Sequence, residues 1–146
     1  MCSESDVYDD PEVERHWAEA QRQQLLNYLA RERVSPRTDL EVCWVVAPHV
    51  ALWREEPGGL GDILWVISGD LPTDYMYVPD GESARDVMSA FSNKWTEVAT
   101  AMLQGRPHPM MHIGDTANAE VQRQLGDLLS RRAAILGEWA QDESMW

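Results

Sequence analysis

The run Asp62-Ile63-Leu64-Trp65-Val66-Ile67-Ser68 is the stretch on which the fold turns. Its residues are aliphatic, β-branched or aromatic at both alternating sets of positions, and it is too short for an ordinary helix. It therefore reads as a strand with both faces apolar. Upstream, Glu55-Glu56-Pro57-Gly58-Gly59-Leu60-Gly61 supplies a proline and three glycines, the composition of a turn. Before that turn lies a second short run, Val50-Ala51-Leu52-Trp53-Arg54, and the two most simply pair as a hairpin. Further back, Val42-Cys43-Trp44-Val45-Val46 makes another strand, cut off by Pro48. The first and third runs are apolar on both faces, so that part of the sheet is expected to be covered on both sides. Downstream, Ser68 to Asp74 forms a tight loop. It leads into Asp74-Tyr75-Met76-Tyr77-Val78, a short edge strand closed by Pro79-Asp80-Gly81.

Helices flank this block. Asp9 or Asp10, then Pro11, Glu12 and Glu14, is a helix start: a cap, a proline at the first position and acids in the first turn. Val13, Trp17, Leu25, Tyr28 and Leu29 give the helix its apolar stripe, and Ser35-Pro36 stops it after about Arg33. Ser83-Ala84-Arg85-Asp86 resembles a capping box and opens a second helix. Its stripe is Ala84, Val87, Met88, Phe91, Trp95, Val98, Ala99 and Met102, ended by Gly105-Arg106-Pro107. A last helix starts at Asp115 or Thr116, with Val121, Leu125, Leu128, Ile135 and Trp139 as its stripe, Arg132 interrupting it and Gly137 as a fray point. The fold class is α+β: an N-terminal helix, a three- or four-stranded mostly antiparallel sheet and two C-terminal helices. Residues 1–8 are expected to be a disordered acidic terminus and 9–146 one domain.

The 146 residues carry a formal net charge of −13. Six acids and no base fall within residues 1–14, and three acids and no base within 138–146. Such a chain is poorly suited to phosphate backbones or anionic membranes, which are bound through Lys and Arg. The charge instead suits solubility or a basic protein partner. No apolar run approaches the 18 or so residues of a membrane span. Cys2 lies at the N-terminus and Cys43 inside an apolar strand-like run, so no disulfide between them is expected; they lack metal-ligand spacing, and the N-terminus lacks the basic and apolar regions of a secretory signal. These features fit a reducing, cytoplasmic setting.

The segment Trp65-Val66-Ile67-Ser68-Gly69-Asp70-Leu71-Pro72-Thr73-Asp74 adds a further clue when joined to Ala84-Arg85-Asp86, the Phe91/Trp95 pair and the terminal tryptophan. With these features the chain resembles a bacterial domain-of-unknown-function family, number 4826, from about Trp17 to Trp146. The resemblance implies a bacterial cytosolic protein. It carries over no reaction, ligand or catalytic residue.

The candidate site residues are Trp53, Asp70, Asp74, Tyr75 and Tyr77. Asp70 and Asp74 lie four apart after a buried strand, where paired carboxylates hold a divalent cation or divide acid and base roles. Ordinary turn chemistry is the simpler reading of both, since Gly-Asp and Pro-Thr-Asp are common turn formers and Asp74 can bond its own backbone. Trp53, beside Arg54, and Trp146 are the tryptophans expected to be exposed, and with Tyr75 and Tyr77 on the edge strand they make an aromatic binding surface. His108 and His112, with Asp115 beyond, have a metal-like spacing, but Pro107 and Pro109 remove the helix that would align them. His49 has no Ser or Cys nucleophile to serve. The glycines at 58, 59 and 61 precede a strand and make no phosphate cradle. No catalytic residue, metal site or cofactor is assigned. The expected function is a non-catalytic protein-binding module for a basic partner, an immunity or antitoxin role being one version. The alternatives are a small enzyme or ligand- or metal-binding protein built on Ser68 to Asp74, and a homo-oligomer joined through the edge strand or helix faces.

Overall fold

The computed structural model describes residues 10–59, 61–106 and 118–146. Cys2, Asp9 and the His108, His112 and Asp115 set lie outside the described residues. The chain gathers into two compact units, residues 1–84 and 85–146.

In the first unit, helix α1 (Pro11–Arg31) begins as its sequence dictates. Asp10 accepts the Glu12 amide at 2.9 Å through Oδ1, Pro11 takes the first position, and Glu12 and Glu14 sit at the positive end of the dipole. Leu25 and Leu29 are fully buried, and Trp17, Ala18 and Tyr28 pack against the same cluster. The helix stops two residues short of Arg33. The reason is a left-handed residue: Arg33 has φ 59°, its amide donates to the Ala30 carbonyl at 3.2 Å, and the Val34 amide donates to Leu29 at 2.9 Å. This pair of bonds closes the last turn without a glycine.

The sheet is antiparallel with order β1 (Glu41–Val46), β2 (Val50–Arg54), β3 (Ile63–Gly69) and β4 (Asp74–Val78). The β2–β3 hairpin and the edge position of β4 match the sequence expectation. Cross-strand partners share a face, so Val45, Ala51, Trp53, Leu64, Val66 and Tyr75 lie on the side that packs with α1. Leu52, Trp65 and Ile67 point to the other side and are buried as well. Each such side chain contributes about 1.5–3 kcal/mol by leaving water. At the end of β3, Gly69 has φ 139°, and a Cβ there would run into the His49 carbonyl. The turn between β1 and β2 contains a cis Ala47–Pro48 peptide.

The expectation that β1 is covered on both faces is corrected. β1 ends the sheet, Val42 is 37% exposed and Cys43 is exposed. Register explains this: Val42 faces Trp53 and Trp44 faces Leu52, which leaves Cys43 as the extra residue of a bulge.

In the second unit, α2 (Ala84–Leu103) buries Val87, Met88, Phe91, Trp95, Val98, Ala99 and Met102, the stripe its spacing announces. Helix α3 (Ala119–Gln141) is capped by Asn118, whose Oδ1 accepts the Glu120 and Val121 amides. Its buried face is Gly126, Leu129, Ala133, Leu136 and Ala140, and Leu128 is 54% exposed. The expected stripe was therefore rotated. The cause is close helix packing on small residues. A Cβ on Gly126 would sit 3.0 Å from Met102 Cβ, and Ser92 Oγ donates to the Ala133 carbonyl at 2.7 Å. With the face so placed, half-buried Arg132 falls beside it, and Gly137 sits within the helix against Ser92. A short 3-10 turn, Glu143–Met145, follows. No described helix is long and apolar enough to cross a membrane.

Candidate functional site

The five residues singled out from sequence are not one cluster. Trp53 is 1% exposed, which corrects the expectation that it faces solvent. Its neighbours on β2 explain the burial: β2 lies inside the sheet, and Trp53 points toward α1. Its indole N–H donates to Ser68 Oγ at 3.0 Å, and the Arg22 guanidinium stands 5.0 Å from its ring centre. Asp70 is exposed in the turn, its amide donating to the His49 carbonyl at 3.0 Å. Asp74 is 2% exposed, and its Oδ1 accepts the Tyr75 amide at 2.8 Å. The two carboxylates thus occupy different environments. Among the described residues, no three His, Cys, Asp or Glu side chains gather in a way that could hold a metal ion.

Tyr75 and Tyr77 do come together. Their ring centres are 6.2 Å apart in an edge-to-face arrangement, and Tyr28 of α1 adds a third ring 6.3 Å from Tyr75. Burial pushes the Tyr28 phenol well above its ordinary pKa, and the charges of Asp74 and Glu32 push further, against Arg31. Tyr75 is raised by burial and then by Glu32. Tyr77 closes the row and is 51% exposed.

Beside Tyr77 an open groove of about 580 Å³ is lined by Ser35, Arg37, Glu55, Gly61, Asp62 and Tyr77. Its floor is a charged latch. Glu55 is 2% exposed, and its Oε1 accepts Arg37 Nη2 at 3.0 Å and the Leu64 amide at 3.0 Å. Its Oε2 accepts the Arg37 amide at 2.9 Å. Burial alone would raise the Glu55 pKa, but these amides and the guanidinium outweigh it and hold the carboxyl below its ordinary value. The sequence offered no sign of this latch, because Arg37 and Glu55 lie in separate loops.

Two further grooves flank α1 and β1. One, of about 640 Å³, runs past Arg22, Leu26, Arg37, Asp39 and Glu41. The other, of about 290 Å³, has Trp53 among its lining with Val42 and Val45. Arg22 belongs to both, but its charge is committed: Nη1 donates to the Leu40 carbonyl at 2.6 Å and Nε lies 3.5 Å from Glu19. None of the three grooves is lined by Asp70 or Asp74.

Charge separates the two halves of the sheet. From residue 55 to residue 84 the chain carries Glu55, Glu56, Asp62, Asp70, Asp74, Asp80 and Glu82 and no Lys or Arg. Glu55 and Asp74 are buried; the other five are exposed. The β3–β4 half of the sheet therefore presents carboxylates in its turns and an exposed tyrosine at its edge.

Fold and site together define a class: an α+β protein whose helix-backed four-stranded sheet has an acidic, aromatic edge and whose candidate carboxylates are one exposed and one buried. The chain belongs to the family described as Domain of unknown function (DUF4826), matched over residues 12–146. Comparison with curated proteins and with solved structures returned no match.

Proposed function

We propose that this chain is a non-catalytic protein-binding module whose partner is basic. The observation that carries the reading is the run from residue 55 to residue 84, seven carboxylates without one base, five of them exposed in the segments that flank β3 and β4. Complementary charge speeds encounter and selects partners, and exposed tyrosines are common anchors in interfaces. Asp70 and Asp74 line none of the three grooves, whereas acid–base work needs groups that meet one substrate in a cleft.

The test compares two baits in lysate of the organism that encodes the chain. One is the wild type. The other carries Asp62→Asn, Asp70→Asn, Asp80→Asn and Glu82→Gln. A single stoichiometric basic partner, retained by the wild type, lost from the neutralised bait and released by salt, is the expected result. Equal recovery on both baits, or no partner on either, overturns the proposal.

A further inference from the structure

We infer that the outer edge of β4 takes an extended basic segment of the partner as a fifth strand, packed across Tyr77. This rests on the basic-partner reading above and adds the surface and the mode of binding.

The first support is the direction of backbone groups. The Leu64 amide donates to Glu55 Oε1, and the Leu64 carbonyl accepts the Glu55 amide at 3.1 Å. Both groups point toward β2. Leu64 is the β3 partner of Tyr77, so this pair exchanges no hydrogen bonds across β3 and β4. The amide and carbonyl of Tyr77 therefore point out of the sheet. Tyr75, two residues earlier, has the same orientation: its amide meets Asp74 Oδ1 instead of a β3 carbonyl. Asp74 caps one outward donor. Among the described residues no strand pairs with the outer side of β4.

The second support is that the register of β4 against β3 runs unbroken over five pairs. A regular edge of this kind is a template for another strand. Added residues would alternate faces about 7 Å apart along one side. An apolar side chain of the incoming strand can lie on the Tyr77 ring, which is 51% exposed.

The third support is charge, which selects the occupant. Asp70, Asp80 and Glu82 lie exposed in the turns at the two ends of β4, and Asp62 lines the groove beside Tyr77. A second copy of this chain would bring the same carboxylates against each other. A strand carrying Lys or Arg would place cations among them.

The test titrates isotope-labelled full-length protein with the capped peptide Lys-Val-Lys-Val-Lys-Val at low salt. A parallel titration uses the same peptide N-methylated at alternate residues, which keeps the charge and removes edge donors. The expected result is amide shifts on Tyr75 to Val78 and at least about tenfold weaker binding after methylation, from several lost hydrogen bonds. Tyr77→Pro removes the outward donor at a position where an edge strand tolerates proline, and it should weaken binding similarly. Equal binding of both peptides, or shifts confined to other residues, overturns strand addition while leaving the basic-partner reading in place. Shifts of residues 74–78 that depend on protein concentration without peptide make the occupant a second copy and overturn the inference. No binding of either peptide counts against the inference, and against the function above only if the lysate test also fails.

Discussion

The two edges of the sheet are strands of similar length, β1 with six residues and β4 with five, and they are finished in different ways. β1 carries an extra residue, Cys43, that breaks its register against β2. It also sets Glu41 opposite Arg54, a pair of unlike charges. The grooves along it are occupied by an arginine whose bonds are already made. β4 has no extra residue, one capped amide and an exposed aromatic ring. Bulges are a common way to stop an edge from pairing. The same sheet thus closes one side and leaves the other able to accept a strand.

The largest expected effect removes the structure that both edges share. Trp53→Ala empties a core site on β2 and strands the Ser68 hydroxyl. The expected loss is about 3–5 kcal/mol, measured by urea unfolding. A loss below about 1 kcal/mol would contradict the burial of this ring.

Next is the latch that orients the β4 side. Glu55→Ala removes the acceptor for Leu64 and for both Arg37 groups. Breaking a buried pair costs about 3–5 kcal/mol. Arg37 is 41% exposed and regains water, so about 2 kcal/mol is expected. The pH dependence has a definite sign. The folded pKa of Glu55 lies below its ordinary value of 4.5, so its stabilisation is present above that pH and is lost as pH falls through the folded pKa. Glu55→Gln should flatten stability between about pH 5 and 3 relative to wild type. An unchanged acid profile would mean that Glu55 titrates as an ordinary carboxyl.

Local chemistry made much of this legible. Asp10-Pro11, the alternating strands and the glycine-rich turn each state their structure within a few residues, and the helix, the hairpin and the β4 edge followed. Three features depended on distant partners. The buried face of α3 was set by Gly126 and Ala133 meeting α2, which no hydrophobic count of α3 alone can weigh. Trp53 looked exposed because Arg54 follows it, yet Arg22, 31 residues earlier, covers its ring. The Arg37–Glu55 latch joins two loops 18 residues apart. Of the candidate site, Tyr75 and Tyr77 were readable from their alternation, whereas Tyr28 read only as part of a helix stripe.

The tyrosines sharpen the comparison from the alkaline side. Tyr28 and Tyr75 have phenol pKa values raised in the fold, so the unfolded chain loses those protons first. Their contribution is full below about pH 10 and declines as pH rises above it. Tyr28→Phe should lessen the loss of stability between about pH 9.5 and 11, followed by chemical unfolding at each pH. An alkaline decline identical to wild type would show that Tyr28 ionises freely in the fold. The β1 side has its own alkaline group in Cys43, whose thiol burial pushes above its ordinary value of 9.0 against the pull of Arg54.

The smallest effect on stability has the most to say about the edges. Val42 already faces Trp53, and Trp44 already faces Leu52, with Cys43 alone unmatched. Deleting Cys43 would join the two registers without turning any core side chain to the other face, in contrast to an ordinary one-residue slip. The deletion should therefore change stability by less than about 1 kcal/mol, within the usual range for surface changes. It should also give β1 the regular edge that β4 has. If the bulge is what protects β1, the shortened chain will self-associate with rising concentration, read by light scattering on a sizing column. A monomer at every concentration would show that Glu41 and the neighbouring charges protect this edge without the bulge. A large loss of stability would show instead that Cys43 holds a place in the fold that the register does not require.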